Sequence, residues 1–384
     1  MTSVFPAASA PADVLPSIPV RGVRAPELPS SLVFAHSDAA VADALAQTLA
    51  ELELRRPLFA LGRAGRNLLG RSLVIDCGAQ LECATVETAG ATLDEVDRLQ
   101  HVALEEKADV IISCGGGQTL DVGKYGATRA LLPFFAIPTQ ASHDGICSPV
   151  AVLRGADGRV SSYGARAPAA LFVPVHVVSR APRRTLVSGM ADLAANLIAV
   201  EDWRWAHRVS GEPYDDYAAL LAQSGARLLI GRRHLFARER PFAAEDVESL
   251  VHGLVLSGLA MALARSSRPC SGPEHLISHA FDALGLGTGS HGEQVGVGSV
   301  LASRLYGGEL GQVVELLRSI GAPTTPRAIG ISFEDAVRAL KITYQVRPGR
   351  HTLLSRAVTA DPEFVVDLAR NSWLDSDASA GEGR

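Results

Sequence analysis

Four side chains of the types that bind metals or move protons stand out in the second half of the 384-residue chain. Asp192 lies in SGMADLAAN, His275 and His279 lie in SGPEHLISHAFD, and His291 lies in SHGEQVGVGS. His275 and His279 are four residues apart, so a helix places both rings on one side. A carboxylate with two imidazoles suits Zn²⁺ and leaves one position open for a substrate oxygen. We therefore expect a metal site formed by Asp192 and two of these three histidines.

A second group of residues has the pattern of a phosphate-binding turn. The run VIISCGGGQTLDVGKYGA predicts a buried strand, three glycines and a helix that begins near Thr119. Glycines let the backbone approach a ligand closely, and a helix N-terminus offers free N–H groups to phosphate. A plain strand-to-helix turn is the alternative interpretation. The residues expected to bind a dinucleotide are Gly115, Gly116, Gly117, Asp121, Lys124, Thr139 and Arg63.

The choice between the two nicotinamide cofactors depends on the residue after the second strand. In dinucleotide folds an acid there binds the adenosine ribose, whereas an arginine accommodates a 2′-phosphate. The predicted second strand, PLFAL, is followed by Gly62 and Arg63, with no acid. The pattern favours NADP(H) and leaves NAD(H) open.

The elements that must position these residues fall into two parts. Short apolar runs alternate with helical stretches up to about residue 178, which predicts a parallel sheet with helices on both faces. Beyond about residue 183 the apolar residues recur at helical spacing. We expect a flexible segment at 1–28, an α/β dinucleotide-binding domain at 29–182, an all-α metal-binding domain at 183–372, and a flexible tail at 373–384.

Composition excludes several classes of protein. The net charge of −5 and the absence of a run of basic residues argue against a nucleic-acid partner. The five cysteines are odd in number and lack CxxC pairs, which fits free thiols in the cytoplasm. We expect neither an export signal nor a membrane span. The apolar segment VHGLVLSGLAMALA fits either an intradomain helix or a homo-oligomer contact.

Five motifs in order give the chain a family resemblance: GGGQTLDVGK, IPTQASHDGICSP, SGMADL, SGPEHLISHA and HGEQVGVGSV. Together they resemble the glycerol-1-phosphate dehydrogenases of the iron-containing alcohol dehydrogenase and dehydroquinate synthase superfamily, over roughly residues 30 to 355. The chain departs from the family at Gln118, and in the segment GRAGRNLLGRSLVIDCGAQ.

The resemblance implies roles for particular residues. The three glycines would lie under the dinucleotide pyrophosphate. Asp192, His275 and His291 would bind the catalytic metal. The position of a fourth metal ligand in related enzymes is Asn196 here, which favours Zn²⁺, with Ni²⁺ or Fe²⁺ as alternatives. His279 would relay a proton, and Asp144 would contact substrate hydroxyls.

The segment RPGRHTLL also resembles a family stretch, with a solvated basic loop as the equal alternative. Candidate substrate-binding residues are Ser142, His143, Asp144, Arg347 and Arg350.

The implied activity is metal-dependent, NAD(P)H-linked reduction of dihydroxyacetone phosphate to sn-glycerol 1-phosphate. Three alternatives stay open. Another phosphorylated or phosphonate ketone would keep every motif. A sugar-phosphate cyclase of the dehydroquinate synthase type would need more active-site cations than a chain with only Lys107, Lys124 and Lys341 offers. A catalytically dead binding protein would be expected to have lost a metal ligand.

Overall fold

The computed structural model describes residues 29–236, 242–307 and 310–374. The predicted flexible segment at 1–28 lies outside these residues, as does the tail beyond Leu374. The expected tail begins too early, because Trp373 ends the last helix with its indole 1% exposed and its Nε1 donating to Val297 O at 3.1 Å.

Six parallel strands form the central sheet, and two more form an antiparallel hairpin. The strands are β1 (Ser31–Ala35), β2 (Pro57–Gly62), β3 (Ala84–Thr88), β4 (Val110–Gly115), β5 (Phe134–Pro138), β6 (Val150–Arg154), β7 (Val160–Gly164) and β8 (Ala170–Pro174). The sheet has the order β1-β8-β5-β4-β2-β3, and β6 pairs with β7. Strands β2, β4, β5 and β8 are buried along their whole length, as expected for a parallel sheet covered on both faces.

Helices cover the sheet and build the rest of the chain. In the N-terminal α/β domain they are α1 (Asp38–Glu51), α2 (Arg63–Gly65), α3 (Arg71–Gly78), α4 (Leu93–Glu105), α5 (Gly117–Ala130) and α6 (Val175–Val178). The helical C-terminal region contains α7 (Arg183–Ser210), α8 (Asp216–Gly231), α9 (Ala244–Ala264), α10 (Pro273–Ala283), α11 (His291–Tyr306), α12 (Gly311–Ile320), α13 (Phe333–Leu340), α14 (Thr343–Val346), α15 (Leu353–Ala360) and α16 (Pro362–Trp373). The predicted parallel sheet followed by a helical region is confirmed.

Local signals explain where several of these helices begin. The side chains of Ser37 and Thr92 accept hydrogen bonds from backbone N–H groups in the first turns of α1 and α4. The three glycines at 115–117 form the glycine turn. The helix that follows begins at its last residue, Gly117, two residues earlier than expected. The unusual segment after β2 is helical, with a π-helical stretch at Arg66–Gly70 between α2 and α3.

The chain direction creates a crevice at the centre of the sheet. The central neighbours β4 and β2 send their helices in opposite directions, because α5 leads to β5 and α3 leads to β3. Ligands of open parallel sheets bind at such a switch point, outside the carboxyl ends of the strands. The glycine turn therefore lies at the edge where a dinucleotide is expected.

One long core joins the sheet to the helical region. It includes Val122 of α5, Leu193 of α7 and Ile146, which directly follows the SHDG segment (residues 142–145). Within the described residues, α9 alone is long and apolar enough to span a membrane by length and composition. Because 61% of its apolar window is buried inside the fold, the helix behaves as a core helix here.

Candidate active site

Three helices bring the expected metal ligands together. Asp192 lies within α7, His275 in the first turn of α10, and His291 at the first position of α11. The Oδ1 atom of Asp192 lies 3.4 Å from His275 Nε2 and 3.6 Å from His291 Nε2. One ligand atom from each residue lies within 4.8 Å of the other two. His275 and His291, which follow Asp192 by 83 and 99 positions in the sequence, thus share one pocket with it.

The glycines of HGEQVGVGS let these helices approach closely. A Cβ atom at Gly292 would lie 2.0 Å from Ser188 O on α7, and one at Gly298 would lie 2.6 Å from Glu274 O on α10. Any larger residue would push α11 away from the two helices that carry the other ligands.

Sequence reasoning missed one residue of this pocket, Glu274. Its carboxylate is fully buried, accepts a hydrogen bond from Gly272 N at 2.6 Å, and lies 3.0 Å from His275 Nδ1. A carboxylate on one ring nitrogen fixes the tautomer and presents the other nitrogen to a metal. The only sequence signal is the acid directly before His275.

The residues present fit a divalent metal ion. Asp192 Oδ1 is buried and has no hydrogen-bond partner among the described residues. Ligand atoms about 2.0–2.2 Å from a tetrahedral Zn²⁺ lie about 3.3 Å from one another, close to the 3.4 and 3.6 Å between Asp192 Oδ1 and the two histidines. Asn196, at the position of the fourth ligand, instead donates to Ser257 Oγ at 2.7 Å and to Ala222 O. The donor set is one carboxylate and two imidazoles.

The pKa values of these groups reflect their mutual contacts. Burial alone would raise the pKa of Asp192, but the close imidazoles of His275 and His291 lower it to about 2. Burial lowers the pKa of His275, and the carboxylates of Asp192 and Glu274 outweigh it, raising the pKa to about 9. Burial lowers the pKa of His291 to about 3.

Two further titratable groups border the pocket. His279 lies one turn after His275, with ring centroids 6.3 Å apart, and forms no hydrogen bond within the described residues. Burial and the positive charge of Arg347 lower its pKa well below the usual value, so the ring is neutral near pH 7. Burial and the neighbouring Asp192 carboxylate raise the pKa of Asp144 to about 8.

The segment SHDG connects the metal pocket to the glycine turn. His143 Nδ1 accepts a hydrogen bond from Gly145 N at 2.9 Å, so the neutral ring carries its proton on Nε2. That Nε2 stands against the turn, since a Cβ at Gly117 would lie 2.4 Å from it. On the other side the ring centroid is 5.9 Å from that of His291. The imidazole ring of His143 thus lies between the glycine turn and the metal pocket.

The backbone of the same segment is tied to the metal-bearing helix. Asp144 N donates to Asp192 Oδ2 at 2.9 Å, and Ser142 O accepts from Ser188 Oγ at 2.9 Å. Substrate selection by Asp144 stays a prediction, whereas its backbone contact to Asp192 is part of the pocket.

The glycine turn lies at the carboxyl edge of the sheet, as expected. Thr139 N donates to Gly115 O at 2.9 Å and holds β5 beside the turn. A Cβ at Gly116 would lie 2.4 Å from Gln140 Nε2, so there is no room for a side chain. The turn can therefore contact a ligand at Gly116 only through its backbone.

Two residues expected to bind cofactor have another task. Lys124 is fully buried, and its three donors are used by Gly145 O at 2.6 Å, Val150 O at 2.8 Å and Asp121 Oδ1 at 3.4 Å. Asp121 is 5% exposed and accepts from Val152 N at 3.1 Å. These contacts contradict the expected role of both residues in cofactor binding, because the pair holds the 145–152 segment against α5.

The two arginines of RPGRHTLL differ in their surroundings. Arg350 is 4% exposed and donates to Ser271 O, Ser271 Oγ and Ser267 Oγ, which corrects its assignment to substrate binding. Arg347 is half-buried, donates to Ser162 Oγ of β7 at 2.8 Å and to Ser267 Oγ at 3.3 Å, and contributes to the lowered pKa of His279. Of the two arginines, Arg347 is therefore the one whose charge acts on His279.

Cationic side chains follow β2 at the other end of the crevice. Arg63 is exposed at the start of α2. Arg66, which was not singled out from the sequence, pairs with Glu87 of β3, and its Nε has no hydrogen-bond partner among the described residues. The end of β2 itself is Gly62, without an acid.

The fold resembles that of one class of proteins, the iron-containing alcohol and glycerol dehydrogenases. Residues 37–182 match the family model described as iron-containing alcohol dehydrogenase. A probable glycerol dehydrogenase from Sinorhizobium meliloti 1021 has a similar structure, with a TM-score of 0.73, 24% identity and coverage of 90% of this chain and 97% of that one. Glycerol dehydrogenase from Schizosaccharomyces pombe has a TM-score of 0.70 at 19% identity, with 93% of both chains covered.

Curated relatives narrow the class to one family. Glycerol-1-phosphate dehydrogenase (NAD(P)+) of Cenarchaeum symbiosum is 40% identical over 264 residues, which are 69% of this chain and 73% of the relative. The enzyme of the same name from Methanosarcina acetivorans is 35% identical over 348 residues, 90% of this chain and 95% of the relative. The chain belongs to the glycerol-1-phosphate dehydrogenase family, which confirms the resemblance of the motifs.

Proposed function

We propose that the chain is a metal-dependent NAD(P)H oxidoreductase that reduces dihydroxyacetone phosphate to sn-glycerol 1-phosphate. The observation that carries this proposal is the arrangement around His143, whose ring lies between the glycine turn and the Asp192, His275 and His291 cluster. A substrate in the cluster is therefore next to a dinucleotide on the turn. Relatives named for this activity and for NAD(P)+ support the choice of substrate and cofactor.

The two groups that the site holds when loaded supply the central chemistry: a metal polarises a ketone oxygen, and a nicotinamide gives a hydride to the carbonyl carbon. Asp192, His275 and His291 would hold the metal, and Glu274 orients one of them. The reduced oxygen needs a proton. The neutral ring of His279, one donor and one acceptor beside the cluster, suits a proton relay.

The substrate phosphate is assigned to Arg347. This guanidinium is near enough to His279 and His291 to lower the pKa of both rings. Arginine binds phosphate oxygens through its planar fork of N–H donors. His143 Nε2 offers a further donor on the side of the glycine turn, and Asp144 would contact the substrate hydroxyl.

Both nicotinamide cofactors suit the crevice after β2. An acid that would repel a 2′-phosphate is absent from the end of β2, and Arg63 is exposed beside it. We therefore assign Arg63 to the adenosine end of the cofactor, with NADP(H) as the expected preference and NAD(H) as an accepted substitute.

A cyclase of the dehydroquinate synthase type is disfavoured by the positions of the lysines. Lys107 and Lys341 are exposed, outside the pocket, and Lys124 is buried with all its donors used. We place the enzyme in the cytoplasm, because all five cysteines are free thiols in the structure.

The proposal is tested by supplying purified protein with Zn²⁺, NADPH and a panel of ketones. Dihydroxyacetone phosphate should give steady-state oxidation of NADPH and sn-glycerol 1-phosphate as the product. Unphosphorylated dihydroxyacetone and a phosphonate analogue of the substrate serve as comparisons. No steady-state oxidation with any phosphorylated ketone would rule the dehydrogenase out, and phosphate release without net cofactor oxidation would favour a cyclase.

A further inference from the structure

A group of side chains ties the start of α11 to the start of α7. Arg184, in the first turn of α7, donates through Nε to Glu293 Oε1 at 2.6 Å and through Nη2 to Glu293 Oε2 at 2.7 Å. The same Nη2 donates to Thr288 O at 2.8 Å. Glu293 is 5% exposed, so this is a two-pronged ion pair to a buried carboxylate and stronger than an ordinary surface pair.

The buried carboxylate also caps the helix that carries a metal ligand. Glu293 Oε2 accepts from Ser290 N at 2.7 Å and from Ser290 Oγ at 2.9 Å. Ser290 is the N-cap of α11, and His291 follows it directly. This cap is formed by Glu293 and Ser290 alone and does not require Arg184. Arg184 adds the connection to α7, the helix that carries Asp192.

The connection continues to the third segment of the site. The single hydroxyl proton of Ser290 can go either to Glu293 or to Ser188 Oγ, 3.0 Å away, while Ser290 N stays bonded to Glu293. Ser188 Oγ donates to Ser142 O at 2.9 Å. Ser188 lies one helical turn before Asp192. The chain of hydrogen bonds therefore joins the starts of α7 and α11 to the SHDG segment, and all three contribute to the pocket.

The two histidines of the pocket differ in what holds their rings. His275 has the buried Glu274 carboxylate on Nδ1 at 3.0 Å. Among the described residues, His291 Nδ1 has only Ser278 Oγ as a partner, at 3.5 Å, and the side chain of His291 is 33% exposed. Because the ring of His291 has no strong direct partner, its place depends on where α11 begins.

From these contacts we propose that Arg184 and Glu293 are positioning residues that fix His291 at metal-binding distance from Asp192 and thereby set the affinity for the metal. The inference rests on the proposed metal site. Neither residue needs to touch substrate, cofactor or metal. Their contribution acts through the start of α11.

The test measures metal affinity directly, by titrating the metal-free full chain with Co²⁺ and Zn²⁺ and following the absorption of bound Co²⁺. Arg184→Gln should weaken the affinity at least about tenfold, the lower end for residues that orient metal ligands. Arg184→Lys, which keeps the charge but not the two-pronged geometry, should fall between it and the wild type. At saturating metal, kcat and KM should stay within about twofold of the wild type, since the same ligands are then in place.

Arg338→Gln is the matched control, because Arg338 pairs with Asp335 on the surface of α13. It should leave the metal affinity unchanged. Wild-type affinity in Arg184→Gln would overturn the inference, and so would an equal loss in Arg338→Gln. If Arg184→Gln does not fold, Arg184→Lys decides in the same way. Absence of metal binding by the wild type would instead overturn the proposed function.

Discussion

The candidate active site has two halves, one built from side chains and the other mostly from backbone. The metal pocket consists of side chains: a buried carboxylate and two imidazoles from three helices, with Glu274 and the Arg184–Glu293 pair around them. The dinucleotide crevice consists mostly of backbone, where a glycine turn follows β4 at the edge of the sheet. Residue identity therefore matters most in the pocket, and the absence of a side chain matters most at the turn.

The largest expected effect comes from removing a side chain of the pocket. His275→Ala removes a ligand and leaves Glu274 buried without the imidazole it contacts. We expect the variant to bind no metal when one equivalent of the ion is added, and its kcat/KM to fall about 10³-fold or more. Dinucleotide binding, measured by quenching of NADPH fluorescence, should persist. His234→Ala, at an exposed histidine, is the control. Full activity in His275→Ala would contradict the ligand assignment.

The opposite change, adding a side chain to the turn, should affect the other half. In Gly117→Ala the new Cβ would lie 2.4 Å from His143 Nε2, so the turn or the ring must shift. Overpacking of this kind costs about 1–3 kcal/mol, and we expect NADPH to bind about tenfold more weakly while metal affinity is kept. Gly78→Ala, where nothing lies within 4 Å of the new atom, is the control. Equal NADPH affinity in the two variants would show that the turn does not hold the cofactor.

The contrast also explains what could be predicted from the sequence. Residue types indicated a metal site with Asp192 and two histidines, because a metal needs particular side chains, and the family resemblance selected His275 and His291. Lys124 was misassigned, since its spacing on the helix does not reveal that three protein oxygens surround its ammonium. The same limit applies to Arg350, whose partners lie 79 and 83 residues away along the chain. Burial of a charged group depends on tertiary contacts that short motifs do not contain.

A smaller effect is expected at Arg347, the residue proposed to bind the substrate phosphate. Arg347→Ala should raise the KM for dihydroxyacetone phosphate about 10- to 100-fold, because a hydrogen bond to a charged group contributes about 1.5–3 kcal/mol. The activity with unphosphorylated dihydroxyacetone should change little. Arg370→Ala, in a surface pair with Asp367, is the control. A proportional loss with both ketones would assign Arg347 to support of the fold instead.

The smallest effect is expected at the exposed end of the crevice. Arg63→Ala should lower the ratio of NADPH to NADH affinity by about fivefold, since exposed charge contacts contribute at most about 1 kcal/mol. Arg66→Ala is the informative comparison, because Arg66 is already paired with Glu87. An unchanged ratio in Arg63→Ala together with a reduced ratio in Arg66→Ala would move the 2′-phosphate contact one helical turn along the chain.

The central claim is that one metal ion, held by Asp192, His275 and His291, is required for reduction of a phosphorylated ketone next to a dinucleotide on the glycine turn. The most direct measurement is a titration of metal-free protein with Zn²⁺ in the presence of NADPH and dihydroxyacetone phosphate. The rate of NADPH oxidation should rise in proportion to added metal and reach its plateau at about one ion per chain, the stoichiometry of a single three-ligand site. A full rate in the metal-free protein, or no oxidation after one equivalent, would contradict the account.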